Sequence, residues 1–195
     1  MTDAVAATRG VTPRHAASLI LLRRERAGTT VLMGRRPARS RFAPDVFVFP
    51  GGKLDRADFD QPTAGTLGDL CVQRAAASPR LATALATAAI RETAEETGLI
   101  LAADHAPLSI AARAITPTES PVRFHARFFV ADADLAVGTA CDTPELADLA
   151  WRPLDEALTL PLFDITEAIL RTLQAQGAPF LMTYRRGKPL VKVLG

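Results

Sequence analysis

The most informative stretch of the chain is Arg-Glu-Thr-Ala-Glu-Glu-Thr-Gly-Leu, residues 91–99. Its glutamates Glu92, Glu95 and Glu96 follow an i, i+3, i+4 spacing, which places them on one face of a helix. On that face Glu92 and Glu96 repel each other by roughly 0.2–0.5 kcal/mol. A divalent cation would remove this repulsion, because hard cations take carboxylate oxygens as ligands. The stretch therefore indicates one half of a metal site carried on a helix.

A solvated acidic helix face is the alternative interpretation of the same residues. Arg91 and Glu95 stand at i and i+4, a spacing that gives an ordinary exposed ion pair on many helices. Judged by the carboxylate spacing alone, this alternative is favoured. Further features of the chain reverse the balance.

The helix that carries the glutamates has clear start and stop signals. Ser78 is a favourable N-cap residue, and Pro79 suits the first helical position. Gly98 suits the position just past the end, where the backbone turns left-handed. These signals predict a helix over residues 79–97.

Composition and length indicate a single globular domain over residues 1–195, with residues 1–13 as a loose tail. Hydrophobic residues make up 48% and charged residues 23% of the chain, which is ordinary for a globular protein. The formal net charge of +2 gives no reason to expect a nucleic-acid partner.

Cysteine usage and hydropathy bear on the compartment. The chain has two cysteines, Cys71 and Cys141, far apart and in no metal-ligand spacing, which fits a reducing compartment. Residues 1–14 lack the apolar core of a signal peptide, and no apolar run approaches the length that spans a bilayer. We expect a cytoplasmic protein without a membrane partner.

Alternating and apolar runs predict several strands. Residues 16–22 and 29–34 indicate a hairpin, residues 46–49 a short strand, and residues 124–131 the clearest strand of the second half. A further hairpin is predicted from residues 180–184 and 190–194. The strand at 46–49 stops at Pro50-Gly51-Gly52, a break at which glycine can take positive φ and expose backbone groups.

Taken together, the glycine pair Gly51-Gly52 and the stretch 91–99 resemble the Nudix hydrolase signature. That signature runs Gly, five residues, Glu, seven residues, Arg-Glu, an aliphatic, any residue, Glu-Glu, any residue, Gly, an aliphatic. Its second half matches at every position except Thr93, where an aliphatic residue is expected. The resemblance covers roughly residues 16–160. It implies an α+β Nudix fold, an α/β/α sandwich in which a mixed curved sheet packs between helices.

The first half of the signature departs from the family pattern. Five residues after Gly52 comes Asp58, an acidic residue at the Glu position, but 32 residues separate Asp58 from Arg91. We interpret this as an interrupted signature with an insertion at residues 59–77, since surface loops tolerate long insertions. Whether Asp58 reaches the metal site stays open, and it is not assigned to the site.

Interrupted signatures of this kind resemble the coenzyme A diphosphatase branch of the family. The residues around Pro50-Gly51-Gly52 and the stretch Arg-Phe-x-x-Arg-Phe-Phe at 123–129 look like that branch. Arg36 and Arg41 fall at the two arginine positions of its upstream coenzyme A motif, although the other motif positions differ. A solvated basic loop is the alternative for these two arginines. The resemblance implies coenzyme A or an acyl-CoA as substrate.

The resemblance also implies a metal-dependent diphosphate hydrolase and its site. Glu92, Glu95 and Glu96, with a backbone carbonyl near Gly51, would hold Mg²⁺ or Mn²⁺, and Arg91 would orient the carboxylates. Glu92 is one candidate for the base, and Glu145 is a candidate late-loop carboxylate, with Asp142 and Asp148 as rivals. The expected substrate-binding residues are Arg36, Arg41, Gly51 and Gly52.

Two other functions stay open at this point. ADP-ribose or another nucleoside diphosphate derivative could be the small-molecule substrate instead of coenzyme A. A Nudix-fold nucleotide-binding regulator without catalysis is the alternative from a different class, although a pure binder has no need of three metal-holding glutamates. A homodimer is also left open.

Overall fold

A computed structural model of the protein describes residues 11–26, 28–39 and 43–195. Residues 1–10 of the predicted tail lie outside this range, and strand β1 begins at Arg14. The strands are β1 (Arg14–Glu25), β2 (Gly28–Arg35), β3 (Phe47–Val48), β4 (Gly51–Lys53), β5 (Ile100–Leu101), β6 (Ser109–Ile115), β7 (Phe124–Asp132), β8 (Ala136–Val137), β9 (Ala147–Pro153), β10 (Phe180–Arg185) and β11 (Lys188–Val193). The helices are α1 (Asp69–Ala75), α2 (Pro79–Thr97), α3 (Leu154–Ala157) and α4 (Asp164–Gln174), with short 3-10 helices at Arg56–Phe59 and Ala133–Leu135.

One large mixed sheet organises the described residues. Its strand order is β11-β10-β6-β7-β1-β2-β3, while β4 also pairs with β1 and β9 with β2. The β1–β7 and β6–β10 pairs are parallel, and the other pairs are antiparallel. Strands β5 and β8 form a separate two-stranded ribbon. Central strand β1 thus links the hairpin partner β2, the glycine strand β4 and the long strand β7.

Apolar side chains on both faces of the sheet are covered by helices. On one face Leu19 and Leu21 pack with the alanine-rich side of α2. On the other face Ile20 and Leu22 pack with Ile169 of α4. This alternation along β1 is what a strand buried on both faces requires. The predicted α+β arrangement, a mixed sheet between helices, is confirmed.

Helix α2 has the bounds that its capping residues predict. The Ser78 hydroxyl accepts a hydrogen bond from the backbone N–H of Leu81 at 3.3 Å, and Pro79 occupies the first turn. At the other end Gly98 has φ +73°, a conformation that costs glycine little. The helix over residues 79–97 is confirmed.

Pro50-Gly51-Gly52 is more than the break that the sequence predicts. Gly51 and Gly52 start the short strand β4, in which Gly52 is the register partner of Ala17 and Gly51 that of Ser18. The pairing gives the backbone groups of β1 partners where β2 no longer lies beside them, as buried backbone groups need. Sequence patterns could not show this, because two glycines carry no strand preference.

The segment at 59–77 contains a helix, and the C-terminal residues form the predicted hairpin. Helix α1 lies within this segment, and the backbone carbonyl of its last residue, Ala75, accepts a hydrogen bond from Arg127 Nε at 3.1 Å. Strands β10 and β11 form the predicted hairpin, closed by Arg186 and Gly187 with φ +51° and +73°. Among the described residues no helix is long and apolar enough to cross a membrane.

Candidate active site

Arg91 lies at the centre of a network that joins α2 to the segment after β4. Its Nε donates to Asp58 Oδ1 at 2.9 Å and its Nη2 to Asp58 Oδ2 at 3.1 Å. Its Nη1 donates to Glu92 Oε1 at 2.8 Å and to Glu95 Oε2 at 3.2 Å. Nη2 also reaches the carbonyl of Lys53 at 3.2 Å. These acceptors raise the pKa of the Arg91 guanidinium, which therefore stays charged while it holds two of the three glutamates.

Asp58, which the sequence left unassigned, lies inside this network. The residue is only 2% exposed, and its pair with Arg91 is bidentate, the geometry that a guanidinium and a carboxylate favour. Asp58 Oδ2 also accepts from the backbone N–H of Asp55 at 2.8 Å, which closes the 3-10 turn at Arg56–Phe59. The residues between Asp58 and α2 therefore leave Asp58 in contact with Arg91. The five-residue spacing from Gly52 was the available signal.

Gly51 and Gly52 bring backbone against the carboxylates of α2. The N–H of Gly51 donates to Glu96 Oε2 at 2.8 Å. A Cβ on Gly52 would lie 2.3 Å from the carboxyl carbon of Glu92. A Cβ on Gly51 would instead meet the backbone of Ala17 and Ser18 at 2.5 Å. Each glycine thus permits a close approach that a larger residue would block.

Burial gives two of the glutamates unusual proton affinity. Glu96 is 7% exposed, and burial raises its pKa to about 7 against the Gly51 hydrogen bond, with repulsion from Glu92 and Glu145 acting in the same direction as burial. Burial also raises the pKa of Glu92, although the Arg91 hydrogen bond opposes the rise. Glu95 is more exposed, with 58% of its side chain accessible. The site therefore concentrates carboxylates whose charge is incompletely compensated.

Of the three late-loop carboxylates, Glu145 is the one that acts on the α2 glutamates. Its charge raises the pKa of both Glu92 and Glu96, while its own side chain is exposed. Thr143 anchors the loop, because its hydroxyl donates to the carbonyl of Glu96 at 3.0 Å and accepts from the N–H of Glu145 at 3.3 Å.

The rival carboxylates have other partners. Asp142 accepts from the backbone N–H groups of Asp148 and Leu149 at 2.9 and 2.8 Å, and these bonds lower its pKa. Asp148 forms an ion pair with Arg152 at 3.1 Å. Both bonding patterns shape the loop that presents Glu145.

Of the two arginines predicted to bind substrate, Arg36 and Arg41, only Arg36 lies among the described residues. Arg36 lies close enough to Glu96 for its charge to lower the pKa of that carboxyl. Arg41 lies outside the described residues. Arg36 therefore adds a positive group to the rim of the carboxylate cluster.

The donor atoms at the site suit a hard divalent cation. Glu92, Glu95, Glu96 and the backbone of Gly51 offer oxygen atoms, which Mg²⁺ and Mn²⁺ prefer. Among the described residues, no three His, Cys, Asp or Glu side chains converge as a ready metal group. The half-buried carboxylates nevertheless fit a cation. Burial and mutual repulsion raise their pKa values, and a bound cation would supply the positive charge that compensates for both.

Comparison with known proteins agrees with this geometry. Residues 78–173 match the NUDIX domain family model, which spans α2 and the loop of Glu145. No curated protein matches the sequence. A NUDIX hydrolase from Alicyclobacillus acidocaldarius aligns with a TM-score of 0.72 and 27% identity, over 84% of this chain and 92% of its own.

Two more distant structures share the fold. An Ap4A hydrolase from C. elegans aligns with a TM-score of 0.50 and 17% identity, over 83% of this chain and 96% of its own. The NUDIX domain of Shewanella oneidensis NrtR, in complex with ADP ribose, aligns with a TM-score of 0.58 and 14% identity, over 90% and 99%.

Proposed function

We propose that this Nudix-type hydrolase cleaves the diphosphate linkage of a coenzyme A or acyl-CoA substrate with the help of Mg²⁺ or Mn²⁺. One observation carries the proposal. Glu92 and Glu96 are held against the glycine strand β4, and Arg91, fixed by Asp58, orders the carboxylates beside them. Diphosphate hydrolysis depends mostly on positioning and on neutralising phosphoryl charge, which such a cluster serves.

The metal would bind among Glu92, Glu95, Glu96 and the carbonyl of Gly51. When bound, it supplies charge neutralisation at the phosphoryl oxygens and lowers the pKa of a bound water. The protein's own part is to keep the carboxylates close together in spite of their mutual repulsion. The Arg91 guanidinium and the Gly51 N–H do this by hydrogen bonds to Glu92, Glu95 and Glu96.

Glu92 is our candidate for the base. Its Oε1 is hydrogen-bonded to Arg91, so Oε2 is the oxygen that would accept the proton of the attacking water. The raised pKa of Glu92 brings its basicity closer to neutral pH, where a general base is most effective. Glu145, which shares the electrostatic environment, is the second candidate.

The substrate assignment rests on the interrupted signature and on Arg36. The insertion leaves the Asp58–Arg91 pair intact, so the interruption is compatible with a working site. Arg36 near Glu96 offers a guanidinium that can hold phosphate in a bidentate manner. The C. elegans relative is an Ap4A hydrolase and the Shewanella domain is complexed with ADP ribose, so both compounds are the natural rival substrates.

A hydrolysis screen tests the proposal. Coenzyme A, acetyl-CoA, ADP-ribose, NADH and diadenosine polyphosphates are incubated with the protein and Mg²⁺ or Mn²⁺, and products are separated by chromatography. We expect cleavage of the coenzyme A diphosphate, with no turnover when the cation is chelated.

Two outcomes would contradict parts of the proposal. Faster cleavage of ADP-ribose or a diadenosine polyphosphate than of coenzyme A would replace the substrate while keeping the reaction. Tight binding of one nucleotide with no turnover under any metal would favour a regulator instead of an enzyme.

A further inference from the structure

A basic cluster that takes no part in the candidate active site lies on the sheet face covered by α1 and α2. It consists of His15 on β1, Arg113 on β6, and His125 and Arg127 on β7. The register places His15 beside His125 and Arg113 beside Arg127. The imidazole rings of the two histidines lie 6.0 Å apart between centroids. Two permanent cations and two imidazoles therefore share one small area.

Arg127 has a structural role within the cluster. It is 1% exposed, and its Nε donates to the carbonyl of Ala75 at 3.1 Å. Its Nη1 donates to the carbonyl of His125 at 2.8 Å and lies 2.9 Å from His15 Nδ1. Because a guanidinium only donates, His15 Nδ1 accepts. These bonds tie the last turn of α1 to the sheet.

Arg113 and His125 are left with unsatisfied donors or acceptors. Within the described part of the chain, Arg113 Nε and His125 Nε2 are buried without a hydrogen-bond partner. Such atoms are rare in folded proteins, so each calls for a hydrogen-bond partner. If Arg113 had a purely structural role, its Nε–H would donate to an acceptor atom of the protein, as that of Arg127 does.

The charges around the cluster also indicate that a compensating group is missing. Every charged neighbour that shifts the pKa of a cluster member is itself basic. Burial and this repulsion lower the pKa of Arg127 to about 10 and that of His125 to about 4. Buried positive charge without a carboxylate is unfavourable unless something compensates it.

We propose that Arg113, Arg127 and His125 bind a phosphate-type oxyanion. The two guanidinium groups match the charge of about −2 that phosphate carries at neutral pH, and their planar donors fit phosphate oxygens. An imidazole N–H at His125 Nε2 would add a third donor. The proposal does not depend on the hydrolase chemistry, because none of these residues contacts Glu92, Glu95 or Glu96.

The site has a structural link to the active site through β1. Ala17 is the register partner of Arg127 on one side and of Gly52 on the other. The backbone carbonyl of His15 also accepts from the N–H of Leu54, one residue past β4. A bound oxyanion would therefore stabilise the strand against which the glycines that contact Glu92 and Glu96 are paired.

Inorganic phosphate is the probe for the test. Metal-free protein in a chelating buffer is titrated with potassium phosphate, and with potassium chloride at matched ionic strength, by calorimetry and by thermal unfolding. We expect phosphate alone to bind and to raise the unfolding temperature. Arg113→Gln should weaken phosphate binding at least tenfold, about 1.4 kcal/mol.

A matched variant locates the binding. Arg185→Gln, at the exposed end of β10, should bind phosphate as the wild type does. Equal binding by wild type and Arg113→Gln would overturn the proposal, and so would equal loss of binding in Arg113→Gln and Arg185→Gln.

A measurement on the wild type covers the case in which Arg113→Gln does not fold. The imidazole nitrogens of His125 are followed by nitrogen NMR during the phosphate titration. A saturable shift of Nε2 supports the site. The absence of any shift beyond the chloride control would overturn it.

Discussion

The Asp58–Arg91 pair joins the turn after β4 to helix α2. Asp58 has a side chain that is 0% exposed and Arg91 one that is 25% exposed, so the ion pair is largely shielded from water. Burying a carboxylate in this way is tolerable only because the guanidinium bonds both of its oxygens. The pair therefore fixes Arg91, and through Arg91 it orders Glu92 and Glu95.

Removing the Asp58 carboxylate should destabilise the protein. We expect Asp58→Ala to lower the free energy of unfolding by about 3 kcal/mol, since breaking a buried pair leaves a desolvated charge. Urea unfolding measures the loss. Asp60→Ala, an exposed acid in the same turn, is the control and should change stability by less than about 0.5 kcal/mol. Equal effects of the two substitutions would contradict the role of the pair.

Glu96 should make the stability of the metal-free protein depend on pH. Its pKa is about 7 in the folded state and about 4.3 when exposed, so between these values the folded state binds more protons than the unfolded state. Stability must then fall as pH rises through this window. Glu96→Gln, which mimics the protonated acid, should match wild type near pH 4 and exceed it by about 3 kcal/mol at pH 8.

Comparing wild type with Glu96→Gln separates the pH dependence due to Glu96 from that due to the histidines. His15 and His125 have lowered pKa values and act in the opposite direction over part of the same range, but they are present in both proteins. Chemical unfolding at several pH values gives the difference. A difference that does not change with pH would mean that Glu96 titrates as an exposed acid.

At the scale of elements, the sequence predicted those helices and strands that depend on residues close together in the chain. Helix α2 was predictable to the residue because Ser78, Pro79 and Gly98 act locally. Strand β4 was not, because only its pairing with β1, more than 30 positions away in sequence, makes two glycines a strand. Asp58 could not be assigned for a similar reason, because its partner Arg91 lies 33 residues away. The sequence does not show how the chain between them folds.

The two glycines of β4 should fail in different ways. Gly51→Ala places a Cβ against the backbone of Ala17 and Ser18, so we expect a loss of about 2–3 kcal/mol in unfolding free energy. The nearest atoms to a Cβ on Gly52 belong to the flexible end of Glu92, so the fold of Gly52→Ala should persist. Because a misplacement of about 1 Å can cost 10²-fold in rate, we expect roughly that loss in hydrolysis. Unfolding and rate measurements on both variants test this. A Gly51→Ala protein of wild-type stability, together with a Gly52→Ala protein that is destabilised but hydrolyses at the wild-type rate, would contradict it.

Thr143 should matter through the loop that carries Glu145. Thr143→Val removes the bond to the Glu96 carbonyl and the acceptor for the Glu145 N–H, so we expect about 1–2 kcal/mol of destabilisation and a roughly tenfold lower rate. Thr139→Val, an exposed threonine of the same loop, is the control. A Thr143→Val protein with wild-type rate would show that the loop position is not needed.

At the scale of the whole molecule, the site is assembled from segments that the sheet brings together. The α2 glutamates, the glycine strand, the turn of Asp58 and the loop of Glu145 are separated in sequence but converge around Arg91 and Glu96. The nine-residue stretch at 91–99, together with Gly51-Gly52, was enough to predict a Nudix-type hydrolase through its resemblance to the family signature. The convergence of the other segments depends on strand pairing, which a single sequence does not reveal.

The most direct test of the central claim is the rate of coenzyme A cleavage with saturating Mg²⁺ in three proteins. Wild type is compared with Glu96→Gln and with Glu167→Gln, an exposed glutamate of α4 that pairs with Arg171 on the other side of the sheet. Loss of a cation-holding carboxylate should lower the rate roughly 10²-fold or more, while Glu167→Gln should stay within about twofold of wild type. A Glu96→Gln protein that cleaves coenzyme A at the wild-type rate would contradict the proposed glutamate cluster.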